Sequence, residues 1–127
     1  CAAVADYTVA NPAEQKIKKK ETNLELTLIK TKDILKELGR VKTTKQILVG
    51  FALETNNGEE NAMKKLTEKK ADFIVLNTLQ DAGAGFEQDS NKITIFDKAG
   101  NKKSFDTKAK SAVAEDILNT IIKSNYV

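Results

Sequence analysis

The sequence has no histidine, no tryptophan, and only one cysteine, one proline and one methionine in 127 residues. Without histidine there can be no Ser-His-Asp triad, no Cys-His dyad and no histidine-ligated zinc. The lone Cys1 rules out an internal disulfide and any multi-cysteine metal site. Any chemistry must therefore come from Lys, Asp, Glu, Asn, backbone amides or a hard cation such as Mg²⁺. No apolar run approaches the roughly 18 residues that a membrane span needs, so no membrane partner is expected. Residues 1–9 lack a basic n-region and carry Asp6, so they do not read as a secretory signal, and a cytoplasmic protein is expected.

The composition fits one folded domain. Hydrophobic residues make up 40% and charged residues 31%, which suits a packed core rather than a disordered tail. The net charge of +3 comes from mixed signs and is a weak argument for nucleic acid.

Residues 2–7 are a short apolar run around Asp6, expected as a buried strand. Residues 9–20 read as loop, with Asn11-Pro12 followed by Lys16, Lys18, Lys19 and Lys20. Leu24, Leu26 and Leu28 alternate with polar residues, the pattern of a half-exposed strand. Residues 31–38 suggest a helix with Thr31 as N-cap and Gly39 as its stop. The run "QILVGFAL", residues 46–53, is nearly all apolar, as a central parallel strand is.

Residues 58–70 form an amphipathic helical pattern with Ala62, Met63 and Leu66 inward. Residues 73–76 read as a buried strand ending at Asn77, and residues 81–91 as a glycine-bearing loop. Residues 92–96 and 102–105 flank "DKAGN" as a hairpin. Residues 112–122 close as a helix with Val113, Ile117, Leu118, Ile121 and Ile122 on one face. Strands alternating with helices predict the α/β class, a partial Rossmann-like three-layer fold with a mostly parallel sheet and a C-terminal hairpin. Three helices are few for covering both faces. With the start inside a strand, this suggests the C-terminal portion of a larger fold whose N-terminal half is absent.

The lysine knot has three readings. One is a solvated loop. A second is a nucleic-acid patch, although no aromatics interleave and Glu21 and Glu25 follow. The third is a loop that closes over a polyanion. Two like charges at 4 Å repel by about 4 kcal/mol at an effective dielectric near 20, so crowded lysines favour a phosphate between them. Asp6 is either a turn residue or a strand-end carboxylate for ribose hydroxyls or Mg²⁺. Lys65 and Lys69, four apart, are either surface lysines or a two-pronged phosphate clamp. Gly83-Ala84-Gly85 gives only GxG and opens no helix, so the dinucleotide and Walker A fingerprints are missing.

In order, the chain carries "AAVADY", "KIKKK", "LVGFALET", "IVLN" and "GAGFEQDSNKITI". Together these stretches resemble the C-terminal portion of bacterial phosphopantothenate–cysteine ligase, often fused behind an FMN-dependent phosphopantothenoylcysteine decarboxylase. The resemblance implies a CTP-dependent enzyme of coenzyme A biosynthesis that joins 4′-phosphopantothenate to L-cysteine through an acyl-cytidylate. It implies a flap over about residues 9–30 whose strands also form a homodimer interface. By the same resemblance, Lys16 is the catalytic flap lysine. Ala2, Asp6, Lys16, Lys32, Asp33, Ile34, Leu35, Phe51, Lys65 and Lys69 border the nucleotide. Asp6 acts on metal only through nucleotide-bound Mg²⁺. Asn77, Asp89 and Asn91 match family positions of undefined role, Asp89 and Asn91 mainly structural. The family's N-terminal active-site segment and the FMN-binding decarboxylase have no counterpart in these residues, so this chain alone is expected to be inactive. Two other classes remain open: a non-catalytic nucleotide-binding or dimerisation module, and a basic nucleic-acid-binding domain.

Overall fold

The computed structural model describes residues 4–18, 23–78 and 89–125. The chain divides into two compact units, Cys1–Ile34 and Leu35–Val127.

The first unit is a two-stranded antiparallel ribbon. Strand β1 (Tyr7–Val9) pairs with β2 (Leu28–Lys30), in the register Tyr7 with Lys30 and Val9 with Leu28. Main-chain bonds from Thr31 N–H to the Asp6 carbonyl and from Ala10 N–H to the Thr27 carbonyl, both 2.9 Å, extend the ladder at its two ends. The expected buried strand over residues 2–7 is corrected here. Val4 to Tyr7 are exposed and the strand begins at Tyr7, because a two-stranded ribbon has no interior of its own. Leu24 and Leu26 precede the strand expected to hold them, and only Leu28 lies in it. Thr31 is not a helix cap. Its hydroxyl donates to the Ala5 carbonyl at 2.6 Å and pins the end of the ribbon.

Helix α1 (Ile34–Val41) starts at the last residue of this unit and otherwise belongs to the second. It does not stop at Gly39 but runs through it, with Gly39 buried.

The second unit continues with β3 (Val49–Glu54), α2 (Gly58–Glu68), β4 (Phe73–Thr78), β5 (Ser90–Asn91), β6 (Ile93–Asp97), β7 (Lys102–Ser104), β8 (Lys108–Ala109) and α3 (Lys110–Asn125). Four strands form one sheet in the order β3-β4-β6-β7. The β3–β4 pair is parallel, and β4–β6 and β6–β7 are antiparallel. The short β5 and β8 pair with each other at the entry to α3.

Strand alternation sorts the core into two clusters. Ala52, Ile74, Leu76 and Phe96 meet Ala62 and Leu66 of α2, with Leu35 of α1 packed against them. Phe73, Val75, Ile93 and Ile95 meet Val113 of α3, with Ile117 and Ile121 alongside. Helices on both faces make the three-layer α/β arrangement expected from the sequence, while the described sheet is mixed, with the β3–β4 pair parallel and the hairpin side antiparallel, where a mostly parallel sheet is expected. Strand β4 is central and buried on both sides, which is why residues 73–76 read as a continuous apolar run.

Other expectations change at the margins. Strand β3 is an edge in the described sheet: Phe51 is 58% exposed and Leu53 41%, so its apolar run is not covered on both faces. Met63 lies on the rim of α2 rather than inside it, and Leu118 and Ile122 of α3 are exposed. The stripe on α3 that packs is Val113, Ile117 and Ile121, at the i, i+4, i+8 spacing that meets a flat sheet.

Two carboxylates organise the other end of the sheet. The buried Asp72, just before β4, accepts from Leu48 N–H at 2.8 Å, from Lys98 at 2.9 Å and from Lys42. Burial alone would raise its carboxyl, but the bonds from Lys42, Leu48 N–H and Lys98 win and bring it down to about 2. Asp97 closes the β6–β7 turn by accepting from Ala99 N–H, Asn101 N–H and the Asn101 amide, each at 2.9 Å. Burial pushes the Asp97 carboxyl up, and these donors hold it below the usual carboxylate range. No helix among the described residues is long and apolar enough to cross a membrane.

Candidate functional site

The parallel pair β3–β4 defines the ligand end of the second unit, since open α/β sheets take ligands beyond the carboxyl ends of their parallel strands. The last residues there are Glu54 and Thr78, directly paired, preceded by Leu53 and Asn77. Three residues separate Glu54 from α2, which runs back along the sheet. Lysine side chains on a helix lean toward its N-terminus. Lys65 therefore reaches back to the strand end, and its ammonium lies 3.5 Å from Glu54 Oε1.

Glu54 is held on its other oxygen as well. The Asn61 amide donates to Glu54 Oε2 at 3.0 Å and to the Asn56 carbonyl at 3.3 Å. Glu68 follows Lys65 by three residues on the same helix, but its carboxylate lies 4.0 Å from Lys64; the acid that Lys65 meets comes from the strand. The readable signal for Glu54 is the one that marks Asp6: a carboxylate that ends an apolar strand run.

Lys65 and Lys69 do lie one turn apart on or next to α2, both partly buried. Lys69 is the C-cap, with its N–H on the Lys65 carbonyl at 3.0 Å. Phe51 sits in the middle of β3 in the alternation set of Val49 and Leu53, whereas Glu54 belongs with Gly50 and Ala52 on the α2 face. The Phe51 ring and the Lys65 ammonium thus occupy opposite faces of the sheet. Leu35 packs against the α2-side core; a Cβ placed on Gly50 would lie 2.7 Å from its Cδ2.

Asn77 and Asn91 gain a sharper description. Asn77 lies near the end of β4 opposite Ile93, and Asn91 pairs with Lys108 in the β5–β8 bridge rather than lying in a loop. The Oδ1 atoms of both are buried and accept no hydrogen bond from the described residues. Buried acceptors as a rule have a donor, so these two carboxamide oxygens have acceptor capacity that the described residues do not use. The Asp89 carbonyl accepts from Lys110 N–H at 3.0 Å and joins this bridge to the start of α3.

In the first unit, Asp6 is exposed and stands at the ladder end beside Thr31, followed by Lys32 and Asp33. Lys16 and Lys18 are exposed in the connection that links β1 to β2. Ala2, Lys19, Lys20 and the glycine segment 81–88 lie outside the described residues. Among the described residues no cluster of three His, Cys, Asp or Glu side chains could hold a metal ion by itself.

This is a three-layer α/β domain with a half-buried lysine at the carboxyl end of its parallel strands, the end at which open α/β sheets take their ligands. The chain is a member of the family described as DNA/pantothenate metabolism flavoprotein C-terminal domain, which matches residues 1–125. It is 47% identical over 121 residues to a protein named cysteine/cysteine sulfinic acid decarboxylase from an unidentified prokaryote, covering 95% of this chain and 34% of that protein. It is 47% identical over 120 residues to the coenzyme A biosynthesis bifunctional protein CoaBC of Bacillus subtilis, covering 94% of this chain and 29% of that one. Among solved structures, the C-terminal domain of a coenzyme A biosynthesis bifunctional protein CoaBC superposes with a TM-score of 0.64 at 42% identity, over 76% of this chain and 43% of that chain. The chain thus spans about a third of the length of the curated relatives it matches.

Proposed function

We propose that this chain is the nucleotide-binding part of a ligase that joins 4′-phosphopantothenate to L-cysteine in coenzyme A biosynthesis, with CTP as the activating nucleotide. The observation that carries this reading is the half-buried Lys65 ammonium at the carboxyl end of the β3–β4 pair, in a chain that belongs to a pantothenate-metabolism family. In this reaction the pantothenate carboxylate attacks the α-phosphate of CTP, pyrophosphate leaves, and the cysteine amine displaces CMP from the acyl-cytidylate. No histidine and no covalent nucleophile is needed. What is needed is neutralised phosphate charge and two aligned substrates.

In this reading Lys65 and Lys69 contact the nucleotide's phosphates, and the family resemblance makes Lys16 the catalytic lysine. By the resemblance Lys32, Asp33, Ile34, Leu35 and Phe51 border the nucleotide with Ala2, and Phe51, on the face of β3 opposite Lys65, would meet it only around the edge of that strand. Asp6 binds ribose or the Mg²⁺ carried in by the triphosphate. A single exposed carboxylate suits that metal, which keeps most of its ligands as water and phosphate oxygen. Asn77 and Asn91 offer acceptors to a substrate N–H or O–H. The chain is one part of the ligase, in a protein with a second activity as the bifunctional relatives' name supports, which the resemblance makes a decarboxylase, and it is homodimeric through its ribbon and cytoplasmic. The 127 residues alone are expected to give little turnover.

The test uses the full-length protein that carries this chain. Melting is followed with Mg²⁺ and CTP, ATP, GTP or UTP, and pyrophosphate release is followed with pantothenate phosphate and cysteine present. CTP is expected to give the largest shift; ligand at 100 times its dissociation constant stabilises by about 2.7 kcal/mol. Equal shifts for all four remove the base preference. No shift and no pyrophosphate favour a non-catalytic module, and salt-dependent binding of arbitrary DNA or RNA favours a nucleic-acid domain. Nucleotide-independent release of CO₂ from cysteine favours the activity in the name of the decarboxylase relative.

A further inference from the structure

We propose that Glu54 is a positioning residue for Lys65: its carboxylate aims the ammonium into the phosphate site. This rests on the reading of Lys65 as a phosphate ligand and assigns a role to a residue that lies within the "LVGFALET" stretch but has no role in the site described above.

Three observations converge. Glu54 is the last residue of β3, at the carboxyl end of the parallel pair, so a rigid strand sets its place. Its two oxygens are divided. Oε2 accepts from Asn61 at 3.0 Å, and Oε1 is left facing Lys65 at 3.5 Å. Both partners are largely shielded, with side-chain exposures of 32% for Lys65 and 20% for Glu54.

The physical need for such a partner lies in the lysine. An ammonium on a four-carbon stem is a flexible point charge, unlike the pre-formed fork of arginine. Unheld, it samples many rotamers, and ordering it costs a ligand binding energy. A carboxylate beside it removes that freedom before the ligand arrives and keeps a half-buried cation compensated while the site is empty. One oxygen at 3.5 Å engages one of the three ammonium donors at most, which leaves the others for phosphate oxygens. Asn61 keeps the carboxylate from turning its second oxygen onto the same ammonium.

Electrostatics alone predicts the opposite sign. A carboxylate close to a polyphosphate repels it, so removing the charge should tighten binding if Glu54 has no positioning role. The two accounts therefore differ in direction.

The experiment is a double-mutant cycle in the full-length protein that carries this chain, using Glu54→Gln, Lys65→Met and the pair. Dissociation constants for Mg·CTP are measured by calorimetry, and KM and kcat by pyrophosphate release. Lys65→Met is expected to weaken CTP binding tenfold or more. Glu54→Gln, which keeps shape and can still accept from Asn61, is expected to weaken it roughly tenfold, the scale of one charge-assisted contact, with kcat little changed. In the Lys65→Met background Glu54→Gln is expected to have no further effect. Asn61→Ala, which frees the carboxylate while leaving the strand intact, is expected to weaken binding in the same direction by a smaller factor.

Unchanged or tighter binding in Glu54→Gln overturns the proposal. So does an equal loss in both backgrounds, which would mark a structural effect independent of Lys65. Normal binding in Lys65→Met overturns the phosphate reading of that lysine, and the positioning role with it. If the wild-type protein does not bind CTP, the function reading fails by itself. The same cycle run with inorganic triphosphate then decides whether Glu54 and Lys65 act as a unit.

Discussion

Gly39, inside α1, lies so close to the end of α2 that a Cβ on it would sit 1.8 Å from the Lys69 carbonyl oxygen. The same Cβ would lie 2.9 Å from the Lys69 carbonyl carbon and 3.3 Å from the Lys70 Cβ. Propensity alone says that alanine should improve this helix by about 1 kcal/mol. The contact reverses the sign, because the obstruction is backbone and cannot swing aside. Gly39→Ala is expected to cost about 3 kcal/mol. A urea titration followed by circular dichroism checks this, and an unchanged midpoint would place α1 elsewhere.

Gly100 makes the opposite case. It has φ +88°, and a Cβ placed on it would meet nothing within 4 Å, so its constraint is purely one of backbone angle. Gly100→Ala is expected to cost about 1 kcal/mol, the left-handed penalty for an L-residue. The same titration should rank it well below Gly39→Ala, and an equal or larger loss would mean the turn carries packing that this geometry lacks.

Asp72 makes acid stability predictable. Its folded value of about 2 lies below its ordinary 3.8, so the contribution is complete above pH 4 and is lost as pH falls through 2. The difference corresponds to about 2 kcal/mol. Asp72→Asn should therefore lower stability at pH 6 by at least that amount, since Lys42, with 22% of its side chain exposed, loses its counter-charge. The gap between wild type and variant should narrow steadily from pH 4 to pH 2 in denaturant midpoints. A constant gap over that range would show that the carboxylate charge is not the cause.

Lys16 and Lys18 are both exposed in the same loop of the ribbon, and burial does not distinguish them. The proposed ligase mechanism does, because the resemblance makes Lys16, not Lys18, the catalytic lysine. In the full-length protein Lys16→Gln is expected to lower kcat by about 10²–10³, the loss of one preorganised charge at a reacting phosphate. Lys18→Gln should change it by less than about twofold, as surface substitutions do. Pyrophosphate release measures both, and equal losses would mean that the loop acts through its total charge.

Local pattern determined the elements whose signals are local. The apolar run before Asn77, the "DKAGN" turn and the 3.6-period spacing of Ala62 with Leu66 and of Val113 with Ile117 each encode their own geometry. Strand β4, the β6–β7 hairpin, α2 and α3 are therefore legible in the sequence. The resemblance in motifs marks Lys65 and Lys69. Other features depend on residues far apart in the chain. A glycine that stops a helix and one that admits a neighbouring backbone look alike until α2 is placed against Gly39. Asp72 is a single acid between apolar residues, and its partners Lys42 and Lys98 are 30 and 26 residues away. Whether the apolar residues of β3 and α3 are covered depends on which layers pack there, so hydrophobicity alone misplaces Phe51, Leu118 and Ile122. Glu54 meets Lys65 only because a strand and the helix after it run back to back, which brings the strand's last carboxylate under a lysine two turns into the helix.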